Sequence, residues 1–333
     1  VFYNSFDNIG LIRVLSLLKS HGTEYLSGQD LSDVLKISRV AVWKHIKTIK
    51  ELGYTVETKQ KLGYRLVRDT DRLLPWEVTG VQTRQIGRRA YYFDEIDSTQ
   101  NYAAGLARSG DEGGSVVVAE RQTHGRGRLQ RRWESPEGGI WLSVVLKPRL
   151  DSGTLSLVPI AAGVSLARAI KKSAGINAEL KWPNDVTIDS RKVAGVIVDA
   201  SVESSRLDYA VIGAGVNFDT DAKKIEGALK RTPNFYGATS ITQHSKDAER
   251  LELVHEFFRE LEKNIALVEG GKADSVVKSW TRHSGTIGRR VTVLADGKRI
   301  TGIARKMGQD GALLIETPDG TERVLAEDVA HLR

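Results

Sequence analysis

The stretch His124-Gly125-Arg126-Gly127-Arg128-Leu129-Gln130-Arg131-Arg132-Trp133 concentrates chemically useful side chains more densely than any other part of the chain. Four arginines within seven residues offer forked donors that match phosphate and carboxylate oxygens. The two glycines let the backbone adopt positive φ and approach a ligand closely. Apolar runs over Ser115 to Glu120 and Ile140 to Lys147 read as strands, so the stretch is a loop presented by a sheet. Short arginine-rich runs also occur as solvated surface or nonspecific nucleic-acid contacts, and spacing alone leaves both readings open.

Other residues could share such chemistry. Lys192 follows the turn Ser190-Arg191 and opens the small-residue strand Val193-Ala194-Gly195. A point charge there can hold a carboxylate and offset charge moving onto phosphate, although most turn lysines are simply exposed. Lys181-Trp182-Pro183-Asn184-Asp185-Val186-Thr187-Ile188 reads as a strand entered through Pro, in which Lys181 and Asp185 can simply pair. Ser98 or Thr99 caps a helix over residues 101–108. The Gln122 amide offers one donor group and one acceptor group just ahead of the loop. Leu207 to Phe218 is a buried strand running into Gly213-Ala214-Gly215-Val216-Asn217, a dinucleotide fingerprint lacking its third Gly and its following helix.

Gly125-Arg-Gly-Arg-x-x-Arg131-x-Trp133 resembles the signature loop of biotin protein ligases, which activate biotin with ATP and attach it to a carboxylase lysine. The segments around Ser98, Lys181 to Asp185, and Lys192 to Gly195 are similar to that family as well. The resemblance implies a biotin site made by Ser98, Thr99, Gln122, Gly125, Arg126, Arg128, Lys192, Gly195 and Gly213. It implies ATP and adenylate contacts from Arg126, Gly127, Arg128, Arg131, Trp133, Lys181, Asn184, Asp185 and Asn217. Catalysis would rest on Lys192, Arg126 and Arg128, with Mg²⁺ on the triphosphate and no dedicated metal cage. The implied acceptor is the biotin carboxyl carrier domain of acetyl-CoA carboxylase. Lipoate ligases share the fold but differ in the glycine loop. A biotin-sensing regulator without ligase activity would have lost the loop or Lys192, and both are present.

These residues need scaffolds. Residues 9–19 place apolar side chains at helical spacing, Ser27 caps a short second helix, and Ser38 caps a third over Arg39 to Leu52. This is helix-turn-helix cadence, followed by a hairpin wing with the basic tip Lys59-Gln60-Lys61. In such a motif Ser38, Arg39, Val40, Trp43 and Lys44 reach base edges, and His45 and Lys47 face phosphates. Val42, Ile46 and Ile49 form the core stripe, and Trp43 can alternatively be core. Ser38-Arg39-x-Ala41-Val42-x-Lys44-His45-Ile46 is similar to the winged helix of ligases that also repress biotin-synthesis genes. That implies operator DNA as a partner and a homodimer when adenylate is bound.

At 333 residues the chain should form two or three domains. The expected architecture is α+β: a winged helix over 1–66, a linker over 67–88, a catalytic domain over 89–283 and a C-terminal domain over 284–333. The family implies a class II synthetase-like mixed α/β sheet at the centre and an SH3-like β-barrel at the end. Strand rhythm with turns at Asp296-Gly, Asp310-Gly and Asp319-Gly agrees with a five-stranded barrel. Asp219 to Ala238 reads as polar and mobile, and within it Phe235 and Tyr236 are candidates for stacking on adenine.

Composition sets the outer bounds. Cys is absent, which removes disulfides, thiolate nucleophiles and cysteine metal sites, and no metal-spaced cluster exists among the seven His. No Gly-x4-Gly-Lys-Ser/Thr element occurs, which excludes a P-loop. No apolar run approaches the roughly 20 residues of a membrane span, and Asp7 interrupts any signal-like core, so a cytoplasmic location without membrane contact is expected. The net charge of +7 favours acidic partners. Residues 1–70 carry 11 Lys/Arg against 7 Asp/Glu, a net of +4, which directs that preference to the N-terminal part.

Overall fold

A computed structural model describes residues 2–4, 8–204, 206–229, 236–295, 298–325 and 328–331. The first strand, β1 (Phe2–Asn4), precedes three helices, α1 (Ile9–Ser20), α2 (Gly28–Leu35) and α3 (Arg39–Glu51). Ser27 and Ser38 cap α2 and α3 by accepting from Asp30 N and Asp30's counterpart Ala41 N, which sets both helix starts. The apolar stripe of α3, Val42, Ile46 and Ile49, is buried against Leu11, Val14 and Leu18 of α1. The wing follows as β2 (Thr55–Lys59) and β3 (Gly63–Arg68).

The segment expected as a linker is built into the core instead. It contains the short helix α4 (Pro75–Val78), and Leu73, Leu74 and Val78 are buried. Apolar side chains with charged neighbours read as a linker in sequence, but here several of the charges are paired, Asp71 with Arg250 and Arg72 with Asp94 among them. Lys19 of α1 lies 2.8 Å from Glu77 and 2.9 Å from Asp69, and Tyr54 donates to Glu77 at 2.5 Å. These contacts and the pairing of β1 with β4 (Arg89–Ile96) join the winged helix to the central sheet.

The central sheet has eight strands. It contains β5 (Ser115–Gln122) after helix α5 (Thr99–Arg108), then β6 (Ile140–Leu146) and helix α6 (Leu157–Ala174). Four further strands follow: β7 (Glu179–Lys181), β8 (Asp185–Ile188), β9 (Arg191–Glu203) and β10 (Arg206–Val216). Their order is β1-β4-β5-β6-β10-β9-β8-β7, with β4 and β5 parallel and the other neighbours antiparallel. Period-two alternation divides the sheet between two layers. Val116, Val118, Leu142 and Val144 join the cluster under α6, whereas Val117 and Val145 join the one under α5.

Lys181 to Ile188 is two strands rather than one, because the Trp182-Pro183 step turns the chain between β7 and β8. The stretch from Asp219 to Ala238, expected to be mobile, contains helix α7 (Ala222–Leu229), whose Glu226 accepts from Arg191 at 2.6 Å and Ala238 N at 2.9 Å. Phe235 lies outside the described residues. Helices α8 (Arg250–Glu269) and α9 (Ala273–His283) complete the layer with α6. The Glu262 carboxylate of α8 accepts from the backbone N–H groups of Arg84, Gln85 and Ile86, which pins the supposed linker a second time.

The C-terminal part is an antiparallel five-stranded sheet of β11 (Arg290–Ala295), β12 (Lys298–Met307), β13 (Leu313–Thr317), β14 (Gly320–Val324) and β15 (Asp328–His331), in the order β14-β13-β12-β11-β15. Turns fall at Asp310-Gly311 and Asp319-Gly320 as the sequence suggests, while Asp296-Gly297 lies outside the described residues. Trp182 ties this sheet to the central domain, its indole N–H donating to Gly311 O at 3.0 Å. No helix among the described residues is long and apolar enough to cross a membrane.

Candidate active site

The polar floor of the site starts at Ser98. Its buried hydroxyl accepts from Asn101 N at 3.4 Å as the cap of α5, which presents Thr99 and Gln100 to the sheet. Thr99 N donates to Gln122 Oε1 at 2.8 Å, and the Thr99 hydroxyl lies 3.1 Å from that oxygen and 3.0 Å from Ser143 Oγ. Ser143 in turn donates to Gln100 Oε1 at 3.0 Å. Two hydroxyl protons thus serve three oxygen contacts, leaving a corner rich in lone pairs that suits an incoming N–H donor.

The arginine loop closes over this corner. Gln122 Nε2 donates to Ser135 Oγ at 2.8 Å, and Trp133 N donates to Gly125 O at 2.9 Å, so the loop returns along its own start. Neither glycine of the loop uses positive φ, and only Gly125 serves close approach. A Cβ at Gly125 would meet Trp133 O at 2.4 Å, while the left-handed residue is Leu129, with φ of 52°. Arg126 donates to Asn101 Oδ1 at 2.7 Å and lies 3.3 Å from Asp199.

Ser98, Thr99, Gln122, Arg126, Gly195, Gly213 and Trp133 line one cleft of about 30 Å³. Gly125 is buried at its rim. Trp133, expected with the nucleotide set, belongs to this wall, because a Cβ at Gly215 would stand 2.6 Å from its Nε1. That Nε1 is buried without a hydrogen-bond partner.

A second group forms beside the cleft. Lys192 Nζ lies 2.5 Å from Asp185 Oδ1 and 5.0 Å from the Trp133 ring centre. Burial alone would raise the Asp185 carboxyl, but Lys192, Tyr236 and Lys181 more than reverse it and hold it below the usual carboxylate range. Arg128 donates to Asn184 Oδ1 at 3.3 Å, so two of the residues expected on biotin, Arg128 and Lys192, stand with Asn184 and Asp185. The Lys181 ammonium sits over the Tyr236 ring.

Three expected positions contribute backbone. Gly127 N donates to Arg131 O at 2.7 Å, bracing the loop, and the Arg131 side chain is exposed. Asn217 is buried, its N–H donating to Val193 O and its carbonyl accepting from Ile241 N. Gln100, Asn101, Ser135, Ser143 and Asp199 were not anticipated. Ser143 carried a signal, since it is the one polar residue in the apolar run Ile140 to Leu146.

On the winged helix, Arg39, Val40, Trp43, Lys44 and Lys47 are exposed, with Trp43 55 % exposed and therefore not core. Arg39, Val40, Trp43, Lys59 and Lys61 line one open groove between α3 and the wing. The Ser38 hydroxyl is engaged as the helix cap. His45 is corrected: its ring packs on α1 so closely that a Cβ at Gly10 would stand 2.8 Å from Nε2, and burial lowers its pKa.

Residues 92–217 match the biotin/lipoate A/B protein ligase family, residues 11–65 an HTH domain, and residues 286–332 the biotin protein ligase C-terminal domain. The chain is 32% identical over 319 residues to the bifunctional ligase/repressor BirA of Bacillus spizizenii, covering 95% of this chain and 97% of that one. The chain belongs to the bifunctional biotin ligase and repressor family. The Escherichia coli member is 30% identical over 314 residues, with 93% of each chain covered. The biotin protein ligase of Aquifex aeolicus in complex with biotin and ATP superposes with a TM-score of 0.61 at 26% identity, covering 73% of this chain and 99% of that one. As a family member the chain is a biotin protein ligase that carries a DNA-binding repressor domain.

Proposed function

We propose that the Thr99–Gln122 corner binds the ureido ring of biotin and that Lys192 and Arg128 act where its carboxylate meets ATP. The observation that carries this is the continuity of the two groups through Trp133, which touches Gly195 and Gly215 on one side and faces Lys192. A carboxylate oxygen attacks the α-phosphorus, the bond to the β-phosphate breaks, and pyrophosphate leaves with biotinyl-5′-AMP behind. Charge then rests on phosphate oxygens, and preorganised cations lower the barrier. An acceptor lysine next attacks the acyl carbon and AMP departs, so no enzyme residue becomes acylated.

Among the described residues no three His, Asp or Glu side chains cluster as a metal cage. The oxygens of Asp185 and Asn184 are engaged by Lys192, Tyr236 and Arg128, so a Mg²⁺ would be carried by the triphosphate, where it would neutralise charge between phosphates. The acceptor is proposed to be the biotin carboxyl carrier domain of acetyl-CoA carboxylase, in the cytoplasm. The C-terminal sheet is proposed to close as an SH3-like barrel, and the central domain to follow the class II synthetase plan. Adenylate binding is proposed to favour a homodimer that places two winged helices on operator half-sites. Equal operator affinity with and without biotinyl-AMP in a gel shift would count against that coupling.

The direct test is transfer of labelled biotin to a carrier-domain lysine with ATP and Mg²⁺, using lipoate as competitor and Lys192→Ala as control. Biotin incorporation that disappears in the variant supports the assignment. Lipoate incorporation, or full activity in Lys192→Ala, overturns it.

A further inference from the structure

Sequence offers Tyr236 as a candidate for stacking on adenine, but its side chain is engaged elsewhere. Its hydroxyl donates to Asp185 Oδ2 at 2.6 Å, while the opposite oxygen, Oδ1, lies 2.5 Å from Lys192 Nζ. One carboxylate therefore spans the phenol and the lysine, each on its own oxygen. The Lys181 ammonium lies 3.3 Å from the centre of the same phenol ring, within cation–π range.

The backbone delivers Tyr236 to this place. Lys192 N donates to Gly237 O at 3.0 Å and Thr239 N donates to Lys192 O at 2.9 Å, so the chain just after Tyr236 runs beside Lys192 as a parallel bridge. Glu226 braces the same stretch through Ala238 N. Main chain and side chain thus couple the two residues twice.

A carboxylate held at one oxygen can still rotate about its Cβ–Cγ bond, and a second hydrogen bond fixes its plane. Tyr236 suits this use because its hydroxyl is aimed at the Asp185 oxygen that Lys192 leaves open.

We propose that Tyr236 is a positioning residue for adenylate formation, fixing the plane of the Asp185 carboxylate and through it the direction of the Lys192 ammonium, while its ring holds Lys181. The proposal rests on the role assigned to Lys192 above.

Single-turnover pyrophosphate release, with ATP, Mg²⁺ and varied biotin, tests it in the full chain. Tyr236→Phe keeps the ring and removes the hydroxyl; it should lower kcat about tenfold, the scale of one hydrogen bond to a charged group, with the KM for biotin within about twofold and the fold retained. In an Asp185→Asn background the same change should cost nothing further, because the shared route is already cut. Tyr236→Leu should in addition raise the KM for ATP by releasing Lys181. Wild-type kcat in Tyr236→Phe, or an undiminished loss in the Asp185→Asn background, overturns the proposal. Lys192→Ala separates the two levels. Full pyrophosphate release in that variant removes the Lys192 assignment and this proposal with it, whereas its loss alongside an unaffected Tyr236→Phe overturns the Tyr236 role alone.

Discussion

Gly195 of β9 and Gly215 of β10 face each other in register, and the Trp133 indole rests against both. A Cβ would stand 3.2 Å from the ring at Gly195 and 2.6 Å from Nε1 at Gly215. Two paired glycines therefore leave room on the backbone for an aromatic ring to approach closely. With the indole there, the cleft is narrowed to about 30 Å³.

Gly215→Ala should crowd the indole and weaken biotin binding by roughly 5- to 150-fold, the equivalent of about 1–3 kcal/mol of overpacking. Isothermal titration with biotin checks this, and tryptophan fluorescence should change on binding in the parent protein. Unaltered affinity in Gly215→Ala would show that the indole has free space to retreat.

Arg128 reaches across to Asn184 from the arginine loop. Arg128→Gly should loosen the loop over the adenylate and release the mixed anhydride early, lowering its retention in a filter-binding assay by at least about tenfold. Free adenylate would then label bystander lysines. Normal retention would sink the idea that the loop shields the intermediate.

Trp43 and the wing lysines predict separable defects. Trp43→Ala removes an exposed ring from the groove face of α3 and should cost about 1–3 kcal/mol of operator affinity with little change in salt dependence. Lys59→Gln and Lys61→Gln should each lower the slope of log K against log salt by about one. Biotin transfer should be unaffected in all three. Gel shifts at several salt concentrations distinguish the patterns, and equal slopes throughout would move the wing away from the phosphates.

Glu260 offers a pH test of stability. It is 4% exposed, lies 2.7 Å from Lys172 and 3.2 Å from Arg168, and burial, which would raise its carboxyl, is outweighed by these cations. A folded value below the unfolded one makes the stabilisation complete above about pH 4.5 and lost as pH falls through the folded value. Glu260→Gln should cost about 2 kcal/mol at pH 7, less than a wholly buried pair because Lys172 is half exposed. Thermal melts should show the gap between variant and parent narrowing below about pH 4. A gap that stays constant down to pH 3 would assign the loss to packing.

Much of the molecule was legible because it is local. Ser27 and Ser38 announce helix starts through their own neighbours, and the stripe of Val42, Ile46 and Ile49 follows from the helical repeat. The linker reading failed because Leu73, Leu74 and Val78 are buried by partners far away in the chain, which a Pro-containing charged segment does not reveal. His45 was misplaced for a similar reason: its helix position suits phosphate, and only the approach of α1 turns the ring inward.

The amino-acid sequence by itself determined the helices of the winged helix, the long strands either side of the arginine loop, the loop that marks the family, and the residue types available to hold anions. Tertiary structure alone decided how they combine. Gln100, Thr99, Ser143 and Gln122 become one hydrogen-bonded chain because α5 crosses β5 and β6, and Trp133 joins the wall of the same cleft because β9 and β10 pair Gly195 with Gly215. Lys192, Asp185 and Tyr236 meet through a turn between strands and a parallel bridge. Contacts of this kind depend on register and closure across long loops, and neither leaves a periodic mark in the chain.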